Sequence, residues 1–309
     1  MSFSTEIKTE ICMLKNTRPE YISELCAFVR NNRKQDFDNI ALLTENPKVA
    51  RRLFTLFRDI YEINVIIEQK KGVNFSKKNF YYLTVSEKIK DITEDLMLDL
   101  DVPKEYIIDS DDLKISYLRG AFLASGSLND PKKSRYHLEF LIEKLEEAKF
   151  ISKLLTFFGI NNKIINRDYG FMVYVKEADK IGDFLRLINA TRAVLYYEDI
   201  RIYRDHKNMT NRLNNCEQAN VDKMIKSSAS QIEDIDRIIE LIGLDAAPEK
   251  LREVMVYRKK YPEVSLSELS LIMSTETNIP ITKSGLNHRI RKIKELRQKL
   301  EGFNKKNTD

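Results

Sequence analysis

Glycine and proline are scarce in this chain of 309 residues, nine and seven respectively, which argues against long disordered stretches. Cysteine is scarcer still. Cys12, Cys26 and Cys216 are odd in number and far apart, with no CxxC pair and no Cys/His cluster, so neither a zinc site nor a disulfide framework is suggested. Long apolar runs are missing as well, and no stretch is apolar enough to span a bilayer. The opening residues, Ser2 to Leu14, interrupt their apolar positions with Glu6, Lys8 and Glu10. That is the pattern of an amphipathic helix, not of a signal core. These absences predict a protein of the reducing cytoplasm with no membrane partner.

What is present favours helix: abundant Leu, Ile, Lys and Glu. The net charge is +5, and its placement says more than its size. Residues 247–309 carry fourteen Lys/Arg and eight Asp/Glu, while residues 1–246 carry 38 and 39. All of the positive excess therefore lies in the last fifth of the chain. Charge segregated in this way suits a phosphate-binding surface, because each neutralised phosphate releases condensed counterions. A solvated basic helix would show the same charge, so composition alone leaves both readings open.

Two segments of the first two thirds read alike. The first begins at Glu24-Leu25-Cys26-Ala27-Phe28-Val29-Arg30 and continues into a strand-like Asn39 to Leu43. A helix follows, with Asn46 as N-cap, Pro47 at its first position, and Ala50, Leu53, Phe54 and Phe57 on one face. Ile63 to Ile67 and Phe80 to Val85 then read as strands. The second begins at Tyr117 to Gly126, continues into a strand from Tyr136 to Ile142, and has a helix through Ala148, Ile151, Leu154, Leu155 and Phe158. Its last strands flank a turn at Asp168-Tyr169-Gly170. The order helix, strands, helix, strands, helix occurs twice, which predicts a duplicated α+β domain. The expected division is a duplicated domain over 1–208 (repeats about 15–100 and 108–190), a helical linker over 209–246, and an all-α domain over 247–309.

Strand alternation predicts which faces are open. Ile63, Val65 and Ile67 should face the core, leaving Glu62, Asn64, Ile66 and Glu68 outward. Leu138, Phe140 and Ile142 should do the same, leaving His137, Glu139, Leu141 and Glu143 outward. Two glutamates and no cation on each such face would repel phosphates and suit a protein partner or self-association. Lys70, Lys71, Lys77, Lys78, Lys132 and Lys133, expected in connecting loops, could restore a positive rim.

In the C-terminal module, Leu251, Val254, Met255 and Arg258 mark a helix that Tyr261-Pro262 ends. Ser265 and Glu268 form a capping box for the next, which runs through Leu269 and Ile272 and is expected to break in the polar stretch Ser274 to Asn278 before Pro280. The last helix should run from near Thr282 to about Leu300, with Leu286, Ile290, Ile293, Leu296 and Leu300 as its core stripe. Away from the stripe lie Lys283, Ser284, Asn287, His288 and Arg291, bordered by Arg289, Lys292, Lys294, Arg297 and Lys299. Glu295 is the one acid among seven Lys/Arg from Thr282 to Lys299. The pattern is that of a helix-turn-helix whose final helix enters the major groove of double-stranded DNA. Asn287 is suited to adenine and Arg291 to guanine, and the cationic flanks to phosphates. A three-helix bundle with a solvated cationic face would share the core stripe but not the near absence of acids.

Leu118 to Gly126 resembles the LAGLIDADG motif of homing endonucleases, through the small residues Gly120, Ala121, Ala124 and Gly126. In that family two such helices pack side by side, and acids at their ends hold the catalytic metals. Here the ligand positions that the resemblance assigns are Ser125 and, in the first copy, Asn32, and the inner acid is Leu123. Serine and asparagine cannot supply the anionic oxygens that magnesium needs. The resemblance thus implies the fold without the nuclease, with no metal and no cofactor. An active endonuclease and a protein-binding scaffold remain the alternatives.

The whole chain resembles the WhiA family. TKSGLNHRIRKIKEL (282–296) is similar to its recognition-helix segment, NRLNNCEQAN (211–220) to its signature between domains, YLRGAFLASGSLNDPKKSRYHLEF (117–140) to its second LAGLIDADG-like region, and SFSTEIKTEI (2–11) to its start. The connection from Ile272 to Lys283 looks longer than the family's usual turn. The resemblance implies a catalytically inactive endonuclease-like domain joined to a helix-turn-helix similar to the fourth region of sigma factors. It further implies a transcriptional regulator associated with the nucleoid. Family members act in sporulation in filamentous actinobacteria, and in cell division and chromosome segregation in firmicutes. The Lys-, Ile- and Asn-rich composition is closer to the second group.

Overall fold

The computed structural model describes residues 2–33, 39–71, 79–133 and 135–306. It divides into two compact units, 1–205 and 206–309.

In the first unit, α1 (Phe3–Ile11) precedes the first copy, α2 (Arg18–Asn32), β1 (Ile40–Thr44), α3 (Pro47–Tyr61), β2 (Ile66–Lys71), β3 (Asn79–Val85) and α4 (Ile89–Asp95). The second copy follows as α5 (Asp111–Ser125), β4 (Gly126–Leu128), β5 (Leu138–Ile142), α6 (Leu145–Phe157), β6 (Lys163–Arg167), β7 (Gly170–Val175) and α7 (Ala178–Leu187). The local signals explain many of the boundaries. Asn46 caps α3 by accepting from the Lys48 amide at 2.9 Å, and Pro47 occupies the first turn. Thr17 and Glu20 form a capping box on α2 that the sequence reading missed.

Each copy builds an antiparallel sheet, ordered β1-β3-β2 in the first and β4-β5-β7-β6 in the second. Their inner faces share one core with α2 and α5, centred on Leu25, Phe28, Leu83, Phe122, Phe140 and Phe184. The two helices approach unusually closely at Gly120. A Cβ there would lie 2.0 Å from the Glu24 carbonyl oxygen and 2.9 Å from the Ala27 Cβ. Glycine at this position is what brings the two backbones together.

Buried charge is paired around the same helices. Glu24 of α2 accepts from Arg52 of α3 through both carboxylate oxygens, one of them at 2.7 Å. Arg30 of α2 meets Glu147 of α6 at 2.9 Å, with both side chains nearly sealed from solvent. Tyr117 of α5 donates to the same carboxylate at 2.5 Å, and burial holds its phenol well above the ordinary range, keeping it a donor. The rest of the Arg30 guanidinium donates to the carbonyls of Met97, Leu100 and Asp101 in the connection between copies.

The structure corrects the reading of the open sheet faces. Ile63 and Val65 are buried as expected, but they precede β2, and Ile67 is 41% exposed. β2 is an edge strand of its sheet and buries none of its residues, so alternation carries no core signal there. Pairing puts Ile66, Glu68 and Lys70 on the open face, opposite Thr84, Tyr82 and Phe80. Lys70 is therefore a strand residue, paired with Glu68 at 2.9 Å and lying over the Tyr82 ring. Lys71 is likewise in β2. In the second sheet Leu138, Phe140 and Ile142 are buried as read. The open side, however, also receives Lys163 and Arg167 from β6, through their pairing with β7. Neither open face is purely acidic: Lys70 of β2 itself joins the first, and the neighbouring β6 brings Lys163 and Arg167 to the second. Lys132 and Lys133 lie in the turn after β4, with Lys133 3.7 Å from Asp130; Lys77 and Lys78 fall outside the described residues.

The helical linker expected over 209–246 falls, apart from its last residues, within a longer helix, α8 (Thr191–Ile242). Glu10 caps its start by accepting from the amides of Arg192 at 2.6 Å and Ala193 at 3.1 Å. Its far end belongs to the second unit's core, where Ile235 and Ile238 are fully buried. The second unit adds α9 (Glu249–Lys260), α10 (Leu266–Thr277) and α11 (Lys283–Lys306).

Candidate nucleic-acid interface

Three features of the local sequence hold α11 in place. Arg258, buried near the end of α9, donates to Gln231 of α8 at 2.9 Å and to the Val264 carbonyl at 2.7 Å, which fixes the turn into α10. The Ser265–Glu268 capping box then starts α10, with reciprocal bonds of 3.2 and 2.8 Å. These bonds favour the carboxylate form and lower the Glu268 pKa. Finally, Leu286 and Ile293 of α11 bury completely against Leu251, Val254, Met255, Leu269 and Met273. Ile290, Leu296 and Leu300 pack at the edge of this cluster.

α10 outruns its expected end. Ser274, Thr275 and Thr277 each donate to the carbonyl four residues back, so the polar stretch continues the helix instead of breaking it. Asn278 ends it in the left-handed conformation, with φ 54°. The connection to α11 is therefore only 278–282, and the long turn read from the sequence is a correction. Thr282 accepts from the Gly285 amide at 3.1 Å and so caps α11. α11 also runs past Leu300, to Lys306.

Lys283, Ser284, Asn287, His288, Arg291, Lys292 and Lys294 are all exposed; Ser284, His288 and Arg291 lie opposite Leu286 and Ile293 beside exposed Glu295, and Lys283, Asn287, Lys292 and Lys294 flank them. Among the described residues none of their side chains has a hydrogen-bond or ion-pair partner within the protein. Arg289 is different. It is half-buried, with its guanidinium 3.6 Å from Glu253 of α9, and so leaves the open face. Arg297 is likewise turned inward, 3.0 Å from Asp234 of α8. Gln298 joins the open arc and was missed, although its spacing of seven from Arg291 could have revealed it.

In the first unit, the two positions compared with endonuclease metal ligands terminate α2 and α5. Ser125 donates to the Ala121 carbonyl at 3.2 Å, and Asn32 accepts from the Leu43 amide at 2.7 Å. Asn31, beside it, donates to the Ala27 carbonyl at 2.8 Å. Leu123 is buried in the core. Among the described residues no group of three or more His, Cys, Asp or Glu is placed to hold a metal ion. Asp130, a nearby carboxylate, accepts from the Tyr196 hydroxyl and the Lys132 amide.

Family models match along most of the chain: the WhiA N-terminal LAGLIDADG-like domain over 22–99, the WhiA LAGLIDADG-like domain over 114–207, and the WhiA C-terminal HTH domain over 210–297. The chain belongs to the WhiA family. It is 39% identical to the probable cell division protein WhiA of Lactiplantibacillus plantarum, over 97% of this chain and 99% of that protein. It is 42% identical to the protein of the same name from Bacillus mycoides, over 97% of each. The crystal structure of full-length WhiA from Thermotoga maritima superposes with a TM-score of 0.59 at 30% identity, covering 97% of this chain and 99% of that one. The duplicated LAGLIDADG-like α+β fold followed by an all-α helix-turn-helix domain thus stands as the sequence implied. No helix of the described residues is long and apolar enough to cross a membrane.

Proposed function

We propose that this WhiA-family chain is a sequence-specific duplex-DNA-binding protein, a transcriptional regulator on the nucleoid that serves cell division and chromosome segregation. The observation that carries this reading is the open arc of α11. It sets Asn287 and Arg291, side chains that can pair with base edges, among the unpaired cations Lys283, Lys292 and Lys294. Relatives named cell division proteins and the helix-turn-helix family model support it. The endonuclease-like repeat contributes scaffold and no cleavage, because serine and asparagine at its helix ends engage backbone groups and lack the charge a magnesium ion requires. A second reading, a protein partner on the repeat, is favoured by exposed Ile66 and Leu141 on the open sheet faces.

Arg291→Ala is expected to weaken binding to a selected site by about 1–3 kcal/mol and to flatten base preference at one position. Lys299→Ala, which removes an exposed cation farther along the helix, should weaken cognate and random duplex alike and lower the salt slope by about one unit. Selection from a random duplex library followed by titration of both variants checks this. Equal losses on selected and random DNA for both variants would show that α11 does not read bases.

A further inference from the structure

The N-terminal part of the second unit is a helix with nothing packed on it. Every residue of α8 from His206 to Lys223 is exposed. The segment is also a poor helix former, with Asn208, Thr210, Asn211, Asn214, Asn215 and Asn220 within thirteen residues. Solvent-exposed helices without good propensity or packing are marginal, so this stretch is built to be covered by something.

Its surface says by what. Asn208, Arg212, Asn215, Ala219, Lys223 and Lys226 follow one another at spacings of three and four and share a face. None of the four amide and cationic side chains Asn208, Arg212, Asn215 and Lys223, nor Lys226, has a hydrogen bond or ion pair among the described residues. The acid beside them, Asp222, already accepts from Gln218 at 2.9 Å. Ala219 leaves the middle of the face low. Exposed Met209, Leu213, Val221 and Ile225 lie on the other side of the helix, away from this face.

The direction of the helix points the same way. Asp234 of α8 pairs with Arg297 of α11, and three residues on Arg237 meets Glu301, at 3.0 and 3.5 Å. The two helices therefore run in the same sense, and their N-terminal parts leave this contact on the same side. Lys283 to Lys294 and the exposed arm of α8 both precede this contact along their helices.

We propose that Asn208 to Lys226 of α8 is a second DNA contact, an arm that lies on the phosphate backbone beside the groove entered by α11. The amides and cations would hold phosphate oxygens without reading bases. This rests on the DNA-binding reading of α11, and the test separates the two.

The full chain carrying Arg212→Ala, Lys223→Ala and Lys226→Ala is titrated with random-sequence duplex across salt concentrations and footprinted on a selected site. Alanine favours helix, so far-UV circular dichroism should be unchanged. The expected result is a salt slope shallower by about two to three units, a footprint shortened on one side, and unchanged base preference. Unchanged slope and footprint overturn the arm. So does a loss of slope that tracks a change from two copies to one in sedimentation equilibrium, which would assign the face to self-association. An arm effect combined with an Arg291→Ala variant that binds and selects like wild type would defeat the reading of α11 and leave the arm standing. A wild-type chain that binds no duplex defeats both.

Discussion

Gly120→Ala is expected to destabilise the first unit by about 3 kcal/mol or more, at the upper end of overpacking substitutions. The added methyl carbon would stand 2.0 Å from the Glu24 carbonyl oxygen and 2.8 Å from its carbonyl carbon. Both are backbone atoms, so no rotamer change relieves the clash, and α2 and α5 have to separate. Separation opens the core at Phe28, Leu118 and Phe122 and displaces Glu24 from Arg52. Chemical denaturation read by near-UV circular dichroism measures the loss. A variant within 1 kcal/mol of wild type would mean that the helices do not approach as closely as described. Gly302 provides the control, since a Cβ there meets nothing and its backbone does not require glycine.

The second large effect is expected at Glu147. Glu147→Ala leaves the Arg30 cation buried without its carboxylate and Tyr117 without its acceptor, and removal of one partner from a buried pair costs about 3–5 kcal/mol. The Arg30 bonds to Met97, Leu100 and Asp101 temper the loss by keeping part of the guanidinium satisfied. Glu147→Gln should cost less, because the amide oxygen still accepts from Tyr117 or Arg30. An Arg30→Met and Glu147→Leu double variant should recover much of the loss, since a well-packed apolar pair avoids the unpaired charge. Equilibrium unfolding of the four proteins checks the order. A double variant no more stable than Glu147→Ala would show that the pair contributes geometry that packing cannot replace.

Much of this arrangement was legible in the sequence where the signal is local. Asn46-Pro47 and Ser265 with Glu268 announce their helices because the capping groups lie within three residues of one another. The core stripe of α11 follows from its period. Signals that depend on distant partners were not legible. Arg289 and Arg291 are two residues apart and equally basic, yet only Arg289 meets Glu253 on another helix. The Glu10 cap on α8 comes from 182 residues away. The length of α8 was hidden because its exposed middle is polar and rich in asparagine, with little apolar period to follow. The open face of the second sheet was misread for a related reason: one strand shows its own residues, while Lys163 and Arg167 come from another.

The family fold and the charge of the last helix meet at one claim, that this chain binds duplex DNA through the open arc of α11 and does not cut it. The direct measurement is a titration of supercoiled and linear duplex with the full chain in magnesium. Wild type is compared with a variant carrying alanine at Lys283, Arg291, Lys292 and Lys294. The account predicts tight, salt-sensitive binding by wild type, loss of most of that affinity and about three to four units of salt slope in the variant, and intact strands with both proteins. Equal binding by the two proteins, or nicking of the supercoiled duplex by wild type, would contradict it.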